Sequence, residues 1–258
     1  MEILIVGSGT MGRWFGECMA PTHGVTFTDA DPEVAARAAA AVEGAVASPP
    51  QRDRFELVCL AVPIGAVGEA TARHGPKAER ALVDVSGVMA TPLAEMRAVG
   101  PELERVSFHP LFAPANEPGN VALVGENTGE TGEAVRQAIE ARGNQVFQTT
   151  AETHDRAMET VQARAHAAVL AYALAREDVP EQFQTPLSGP LSALVEQLSG
   201  NTPRVYADIQ ATFPGAQAVA EAAARIAAAA ESPAAFASLY AEATGLDDDP
   251  SESGDDPG

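Results

Sequence analysis

The sequence has little lysine and a large excess of acidic side chains. Lys77 is the only lysine, and 16 basic residues face 36 acidic ones in a chain of 258 residues, so the formal net charge is −20. Long-range repulsion of this size opposes binding to nucleic acids and to anionic membranes. The composition is similar to that of proteins from salt-loving microbes, where molar salt screens self-repulsion within about 3 Å. We expect a halophilic protein with no nucleic-acid partner and no membrane partner.

Cysteines are also few, and long hydrophobic runs are missing. Cys18 falls in a predicted helix and Cys59 in an apolar predicted strand, so both are expected to be buried thiols. Neither a disulfide framework nor a cysteine metal site is implied. No apolar run approaches the length of a membrane span, and the first predicted strand begins at Glu2, which leaves no space for a signal peptide. We expect a cytoplasmic protein without a bound metal.

A glycine-rich motif, Gly7-Ser8-Gly9-Thr10-Met11-Gly12, lies near the N-terminus. It follows the apolar run Ile3–Val6 and opens a predicted helix, which is the context in which such a motif binds a dinucleotide. The first glycine permits a tight turn, the second lets the backbone approach a pyrophosphate, and the third lets helix and strand pack closely. The pyrophosphate would rest on N–H groups at the positive end of the helix. The alternative is a glycine-rich turn that binds no ligand.

Asp29 ends the next apolar stretch, about 20 positions after the glycines. An acidic residue at this spacing accepts hydrogen bonds from the adenosine ribose. Its negative charge would repel the 2′-phosphate of NADP. The glycine motif and Asp29 together predict an oxidoreductase with NAD as its cofactor.

Strands and helices alternate through the first 149 residues, which is the pattern of a parallel sheet with helices on both faces. The predicted strands are Glu2–Val6, Val25–Thr28, Glu56–Val62, Ala81–Val85, Arg105–Phe108, Val121–Val124 and Gln145–Gln148. Predicted helices between them include Pro32–Val42 and Glu130–Arg142. We therefore expect an α/β fold, with a Rossmann-type dinucleotide-binding domain over residues 1–149.

Only helices are predicted after Gln148. Thr149–Glu152 fits a capping box, and a helix with an apolar stripe follows up to about Arg176. Further helices are expected at Leu187–Leu198, Pro203–Phe213, Ala216–Ala230 and Pro233–Ala243. Because these helices carry few bulky side chains, we expect the all-helical domain, residues 150–245, to pack against a second copy as a homodimer. The acidic segment 246–258 has too little apolar surface to fold and is predicted to be disordered.

Six segments resemble the prephenate dehydrogenase family, and especially the dehydrogenase portion of enterobacterial chorismate mutase/prephenate dehydrogenases. In chain order they are Gly7–Phe15, Val62–Ile64, Leu82–Met89, His109–Pro114, His154–His166 and Tyr206–Ile209. The resemblance implies NAD-dependent oxidation and decarboxylation of prephenate to 4-hydroxyphenylpyruvate in tyrosine biosynthesis. It also implies that Val62 and Pro63 contribute to the cofactor site.

His109 is the predicted catalytic residue. It lies just past a predicted strand, and the carboxyl edge of a parallel sheet places side chains at the ligand crevice. The resemblance implies that hydride leaves the carbon bearing the 4-hydroxyl of the substrate, and a neutral imidazole can take the proton of that hydroxyl. The alternative is a histidine that only bonds a carbonyl at the strand end.

The chain departs from the family at positions that bear on the site. Gly87 stands where the family has a serine close to the catalytic histidine, so Ser86, one position earlier, is the predicted substitute. Met89 replaces a lysine. Gly189 and Gln197 stand where the enterobacterial relatives have arginines, one of which binds a substrate carboxylate. An amide binds a carboxylate less well than a guanidinium does, so another cation is needed.

Arg164 is the predicted replacement for the missing arginines, with Arg204 as the alternative. His166 closes the HD…H motif of the family, and Gln162 lies one helical turn before it, so both are predicted to contact the substrate. The pair His154-Asp155, at the start of the same helix, is expected to be structural.

Other functions remain open on the sequence alone. Arogenate is an alternative substrate, whose oxidation gives tyrosine directly. A β-hydroxyacid dehydrogenase or an imine reductase would have a similar domain order, although the predicted helix 151–176 lacks the lysine that the hydroxyacid dehydrogenases need. A catalytically idle NAD-binding regulator is the alternative from another class, and the intact motif around His109 disfavours it.

Overall fold

The computed structural model describes residues 1–43, 45–47, 54–200 and 202–245, so the tail at 246–258 lies outside the described residues. The chain divides into two compact units, of which the first ends at Met158 and the second begins at Glu159. The first unit therefore extends nine residues past the predicted boundary at residue 149, because one further helix packs on it.

The first unit contains an eight-stranded sheet with the order β3-β2-β1-β4-β5-β6-β7-β8. The strands are β1 (Glu2–Val6), β2 (Gly24–Thr28), β3 (Ala45–Ala47), β4 (Phe55–Leu60), β5 (Ala78–Asp84), β6 (Glu104–Pro110), β7 (Asn120–Glu126) and β8 (Gln145–Gln148). Sequence patterns predicted all of them except β3, whose three residues are too short to show a period.

One strand pair departs from the predicted parallel sheet. Strands β6 and β7 are antiparallel, whereas every other neighbouring pair is parallel. A parallel connection needs a crossover of about a dozen residues or more, and the segment between β6 and β7 is shorter than that. β1, β4, β5 and β6 nevertheless run the same way, so their carboxyl ends share one edge of the sheet.

Helices cover both faces of this sheet. They are α1 (Thr10–Met19), α2 (Pro32–Ala41), α3 (Val67–His74), α4 (Ala90–Val99), α5 (Glu130–Glu140) and α6 (Ala151–Met158). Side chains alternate along each strand, so Ile3 and Ile5 belong to one core whereas Leu4 and Val6 belong to the other. Both cysteines are buried in the first of these cores, as predicted.

The cap of α6 lies one residue later than predicted. The N–H of Thr153 donates to the hydroxyl of Thr150 at 3.1 Å, so Thr150 takes the role that the sequence pattern assigned to Thr149. The backbone N–H of Thr149 instead donates to the carbonyl of Leu123, which ties it to the sheet.

The second unit consists of helices, as predicted. After a π-helical segment, Glu159–Arg164, come α7 (Ala165–Ala175), α8 (Ser188–Ser199), α9 (Pro203–Thr212), α10 (Gly215–Ala229) and α11 (Pro233–Thr244). The predicted long helix up to about Arg176 is confirmed, but its middle part has π-helical instead of α-helical geometry. The side-chain amide of Gln210 donates to the carbonyl of Ala163 in this segment at 2.7 Å. Gly215 lies against Ala163, where a side chain would overlap the backbone.

Within the part of the chain that the structure describes, no helix is both long and apolar enough to cross a lipid bilayer.

Candidate active site

The glycine motif adopts the conformation that its spacing predicted. Gly7 has a φ of +92°, and a Cβ there would overlap the carbonyl oxygen of Ala61. A Cβ on Gly12 would overlap the carbonyl oxygen of Gly7, so helix and strand meet without an intervening side chain. At Gly9 no neighbouring atom lies within 4 Å of the Cβ position. This loop therefore leaves open backbone at the glycine that a pyrophosphate must approach.

The loop leads directly into helix α1. Gly9 caps the helix, and Thr10 and Met11 form its first turn together with Gly12. N–H groups in a first turn lack intrahelical acceptors and carry the positive end of the helix dipole. No acidic side chain lies in this turn to compete for them. The loop and the helix together fit the diphosphate of a dinucleotide.

The Asp29 carboxylate is fixed beside this loop by backbone donors. Its Oδ2 accepts the N–H of Ser8 at 2.7 Å, and its Oδ1 accepts the N–H of Asp31 at 3.0 Å. The Ser8 hydroxyl donates to the carbonyl of Thr28, which holds the loop against β2. Each carboxylate oxygen can accept a further hydrogen bond, so Asp29 can bind ribose hydroxyls while it holds the loop.

Val62 and Pro63 follow strand β4 at the same edge of the sheet. A Cγ atom of Val62 lies 3.0 Å from the position that a Cβ of Gly7 would occupy, so this side chain borders the glycine loop. Pro63 precedes a short 3-10 turn, Ile64–Ala66. Their placement beside the loop fits the predicted contribution to the cofactor site.

His109 lies near the carboxyl end of β6 and takes part in a chain of buried hydrogen bonds. Its Nδ1 is 2.9 Å from Nε2 of His154, and Nδ1 of His154 is 2.8 Å from Oδ1 of Asp155. The Asp155 carboxylate also accepts the N–H groups of Met89 and Ala90, at 3.0 and 3.1 Å. The expectation that His154 and Asp155 are only structural therefore overlooked their link to His109, because 45 residues separate the two histidines in the sequence.

The surroundings set the protonation of this chain of groups. The pKa of His109 is lowered to about 3, mainly by burial and in addition by the neighbouring His154, whereas Asp155 acts in the opposite direction. Burial alone would raise the pKa of Asp155, but hydrogen bonds from His154, Met89 and Ala90 outweigh that effect and lower it. At neutral pH the site thus contains a neutral His109 and an ionised Asp155.

Ser86 hydrogen-bonds inside the loop that follows β5. Oδ2 of Asp84 accepts the hydroxyl of Ser86 at 2.9 Å, the hydroxyl of Ser107 at 3.0 Å and the N–H of Ser86 at 3.1 Å. The Ser86 hydroxyl also lies 3.1 Å from the carbonyl of Val88. The single proton of the Ser86 hydroxyl is shared between the Asp84 carboxylate and the Val88 carbonyl, which favours a role for Ser86 in shaping the loop. Burial raises the pKa of Asp84 to about 7, although the hydrogen bonds from Ser86 and Ser107 act in the opposite direction.

Gly87 faces the imidazole of His109. A Cβ at position 87 would lie 3.7 Å from Nε2 and 3.9 Å from Cε1 of His109, which is ordinary van der Waals contact. The glycine therefore leaves a space about the size of one side-chain group next to this nitrogen. A serine at this position, as the resemblance leads one to expect, would contact the imidazole.

The predicted substrate residues lie in the second unit. Gln162 belongs to the π-helical segment, and His166 lies in the first turn of α7. The His166 ring contacts the Tyr206 ring edge to face, with centroids 4.9 Å apart, and burial lowers its pKa. Its Nδ1 is buried and makes no hydrogen bond to a described residue. A role of these residues in substrate binding stays a prediction.

The two candidate cations of the second unit differ in their contacts. Arg164, at the end of the π-helical segment, is exposed. Arg204 is exposed as well and forms an ion pair with Asp208 at 3.8 Å, one turn along α9. Neither position is buried within its unit, so the carboxylate-binding role of Arg164 also stays a prediction. Among the described residues no group of three or more His, Cys, Asp and Glu side chains is arranged to hold a metal ion.

Known proteins are similar to this chain in sequence. The family model for the nucleotide-binding domain of prephenate dehydrogenase matches residues 18–125. The 4-amino-4-deoxyprephenate dehydrogenase of Streptomyces pristinaespiralis is 29% identical over 266 residues, which cover 95% of this chain and 90% of that protein. The T-protein of Enterobacter agglomerans is 31% identical over 221 residues, which cover 80% of this chain but only 55% of that protein. These findings confirm the predicted resemblance to the prephenate dehydrogenase family.

Solved structures share the fold. The prephenate dehydrogenase of A. aeolicus, solved with hydroxyphenyl propionate and NAD+, has a TM-score of 0.68 at 18% identity, covering 95% of this chain and 96% of that one. The Synechocystis arogenate dehydrogenase has a TM-score of 0.59 at 15% identity, covering 95% and 98%. The predicted Rossmann-type domain followed by helices is confirmed. The predictions of an NAD-dependent dehydrogenase and of NAD as its cofactor are confirmed as well.

Proposed function

We propose that this enzyme oxidises and decarboxylates prephenate to 4-hydroxyphenylpyruvate with NAD+. The observation that carries the proposal is the buried, neutral His109 at the carboxyl edge of the sheet, where the glycine loop and Asp29 also lie. Ligands of open α/β sheets bind at this edge. The same edge therefore carries groups for a dinucleotide and a base for the substrate.

The chemistry needs a base that is uncharged at neutral pH. When NAD+ is bound, its nicotinamide serves as the acceptor of the hydride from the ring carbon that bears the hydroxyl. His109 accepts the hydroxyl proton as the C–O bond gains carbonyl character. The bond to the ring carboxylate then breaks, CO2 leaves, and its electron pair completes the aromatic ring. Because burial keeps the pKa of His109 near 3, the imidazole has a lone pair available over the whole neutral range.

We further propose that Asp29 selects NAD+ over NADP+. Its two oxygens are already oriented by the N–H groups of Ser8 and Asp31, so the carboxylate can accept from ribose hydroxyls without rearrangement. A 2′-phosphate would meet this negative charge at close range.

A second candidate substrate carries an amine at ring position 4. One relative is a 4-amino-4-deoxyprephenate dehydrogenase, and its alignment covers 95% of this chain at 29% identity. Gly87 leaves space beside Nε2 of His109, and an amine donates a hydrogen bond to that nitrogen as a hydroxyl does. Arogenate, which differs from prephenate in its side chain, is the third compound to test.

We propose that Gln162, Arg164 and His166 bind the substrate carboxylates and side chain, and that the helical unit forms a homodimer. The observation that favours a dimer is the apolar surface of this unit. Leu174 is 89% exposed, Leu187 75% and Phe183 68%. The acidic surface further suggests an enzyme adapted to molar salt.

The direct experiment follows NADH formation by the purified enzyme in molar KCl. Prephenate, 4-amino-4-deoxyprephenate and arogenate are each supplied with NAD+ and with NADP+. We expect the highest kcat/KM with prephenate and NAD+. His109→Asn should lower turnover by about 10²–10⁴-fold, because the variant keeps a polar side chain but loses the base. Calorimetric NAD+ affinity should stay unchanged.

Two outcomes would contradict the proposal. One is the absence of turnover with prephenate. The other is wild-type turnover in His109→Asn under conditions where the chemical step limits the rate.

A further inference from the structure

We propose that His154 and Asp155 are positioning residues that hold His109 in the tautomer whose Nε2 carries the lone pair. The inference rests on the proposed function only for the use of that lone pair as a base. The arrangement of protons itself follows from the hydrogen bonds of the first unit.

The chain of contacts begins at a fixed carboxylate. Asp155 accepts two backbone N–H groups, from Met89 and Ala90, at the start of helix α4. These donors and the positive end of the helix dipole stabilise the ionised carboxylate. An ionised carboxylate can only accept hydrogen bonds. The proton in the 2.8 Å contact between Asp155 and His154 therefore lies on Nδ1 of His154.

The position of the proton on His154 determines the direction of its hydrogen bond with His109. A neutral imidazole has one N–H group, and in His154 that group is already directed at Asp155. Nε2 of His154 is thus an acceptor, and the 2.9 Å contact with His109 requires the proton on Nδ1 of His109. Both rings are at most 6% exposed, so bulk water does not offer them alternative partners.

The tautomer of His109 determines which of its nitrogens can act as the base. With its proton on Nδ1, His109 has its lone pair on Nε2, the nitrogen that lies 3.7 Å from the Cβ position of Gly87. The opposite tautomer would present a donor at this place and could not accept a proton from a substrate hydroxyl. Asp155 and His154 act through His109 and need not touch the substrate.

Asp155→Ala tests the proposal because it removes the acceptor that fixes the proton of His154. Oδ1 of Asp155 accepts from both His154 and Met89, whereas Ala90 donates to Oδ2, so alanine takes away the partner of Nδ1 of His154. His154 can then carry its proton on either nitrogen, and His109 loses its preference for a proton on Nδ1. Turnover should fall by about 10²–10⁴-fold, because the carboxylate that orients the histidines and stabilises their protonated form is lost.

The deciding readout is 15N NMR of the imidazoles in the ligand-free protein. The chain has five histidines, so single substitutions assign every ring. In the wild type we expect the Nδ1 of His109 to be protonated and the Nε2 to be unprotonated. In Asp155→Ala the Nε2 of His109 should become partly protonated, while the NAD+ affinity measured by calorimetry stays within about threefold.

Two variants at position 154 and one control complete the test. His154→Gln supplies an oxygen for His109 and an NH2 group for Asp155, so it should keep the wild-type tautomer and more activity than His154→Phe, which supplies neither. His74→Gln removes a half-buried histidine on α3 and should leave the His109 signals unchanged. If His154→Phe does not fold, Asp155→Ala and His154→Gln still decide the question.

The results of these experiments distinguish the positioning role of His154 and Asp155 from the proposed oxidation of prephenate. A wild-type His109 with its proton on Nε2, or an unchanged tautomer in Asp155→Ala, would overturn the positioning role whatever the substrate is. The expected tautomer in a protein that does not turn over prephenate would support the positioning role and contradict the proposed function.

Discussion

Gly87 shows how one missing side chain can shape an active site. Its Cβ position meets only the edge of the His109 ring, at 3.7 and 3.9 Å, so a small side chain fits there without backbone movement. The space also lies where the reacting hydroxyl must come within hydrogen-bond reach of Nε2. Its size should therefore control access of the substrate to the base.

Substitutions at position 87 test this directly. Gly87→Ser adds the hydroxyl that the family carries and should keep turnover within about threefold of the wild type or increase it. Gly87→Leu fills the space and should lower kcat/KM for prephenate by at least about tenfold, since access to the transition-state geometry is lost. Steady-state kinetics measures the effect on substrate use, and calorimetric NAD+ binding shows whether the cofactor site has changed. Equal kcat/KM for the wild type and Gly87→Leu would show that the substrate does not use this space.

At the level of elements, the loop between β5 and α4 is built around a buried acid. Three hydrogen bonds from Ser86 and Ser107 reach Oδ2 of Asp84, whereas Oδ1 has no partner among the described residues. The three hydrogen bonds favour the ionised carboxylate, but complete burial disfavours the charge more strongly and raises the pKa of Asp84 to about 7. The same loop carries Gly87, so the protonation of Asp84 bears on the stability of the loop beside the base.

The pH dependence of stability tests this state of Asp84. In the unfolded chain the carboxyl ionises near its ordinary pKa of about 4, whereas in the folded protein it holds its proton until about pH 7. Between these values ionisation favours the unfolded state, so Asp84 should make the free energy of unfolding fall as the pH rises, by a few kcal/mol at most. Asp84→Asn has no ionisable group at this position, so its free energy of unfolding lacks this pH dependence.

The measurement compares denaturant unfolding of the wild type and Asp84→Asn from pH 4 to pH 9 in molar KCl. The wild-type free energy of unfolding minus that of the variant should decrease up to about pH 7 and then stay level. A difference that increases with pH in this window would show that Asp84 is ionised in the folded protein.

On the scale of the whole molecule, apolar exposure is concentrated in the helical unit. Leu174, Leu187 and Phe183 are each at least 68% exposed in the single chain. Large exposed apolar patches on helices mark interaction surfaces. A second copy is the partner that the chain itself provides, and its helices would cover these side chains.

Light scattering after size-exclusion chromatography tests the dimer. In molar KCl we expect twice the chain mass of 26.6 kDa for the wild type. Leu174→Arg should shift the protein towards the monomer, because a charge would replace an apolar contact of the interface. Phe147→Arg makes the same change at a 44% exposed side chain of β8 in the first unit and should remain dimeric. A wild-type mass of one chain would exclude the dimer under these conditions.

Local sequence patterns determined most of the fold. Seven of the eight strands and the helical character of the second unit follow from apolar periodicity, and the glycine loop follows from a spacing that leaves no room for side chains at Gly7 and Gly12. These features depend on neighbours within a few residues, so the sequence contains what is needed to predict them. The positions of Asp29 and His109 were also predictable, because each lies at the carboxyl end of a strand.

Tertiary structure alone decided the features that depend on distant residues. The antiparallel pair β6–β7, the interruption of the long helix at Glu159–Arg164 and the contact of His109 with His154 each join segments whose approach no local pattern encodes. Gly87 is another example, because it lies close to the imidazole of His109, which comes 22 positions later in the sequence. Local chemistry supplied the groups of this site, whereas packing of β5, β6 and α6 determined which of them meet.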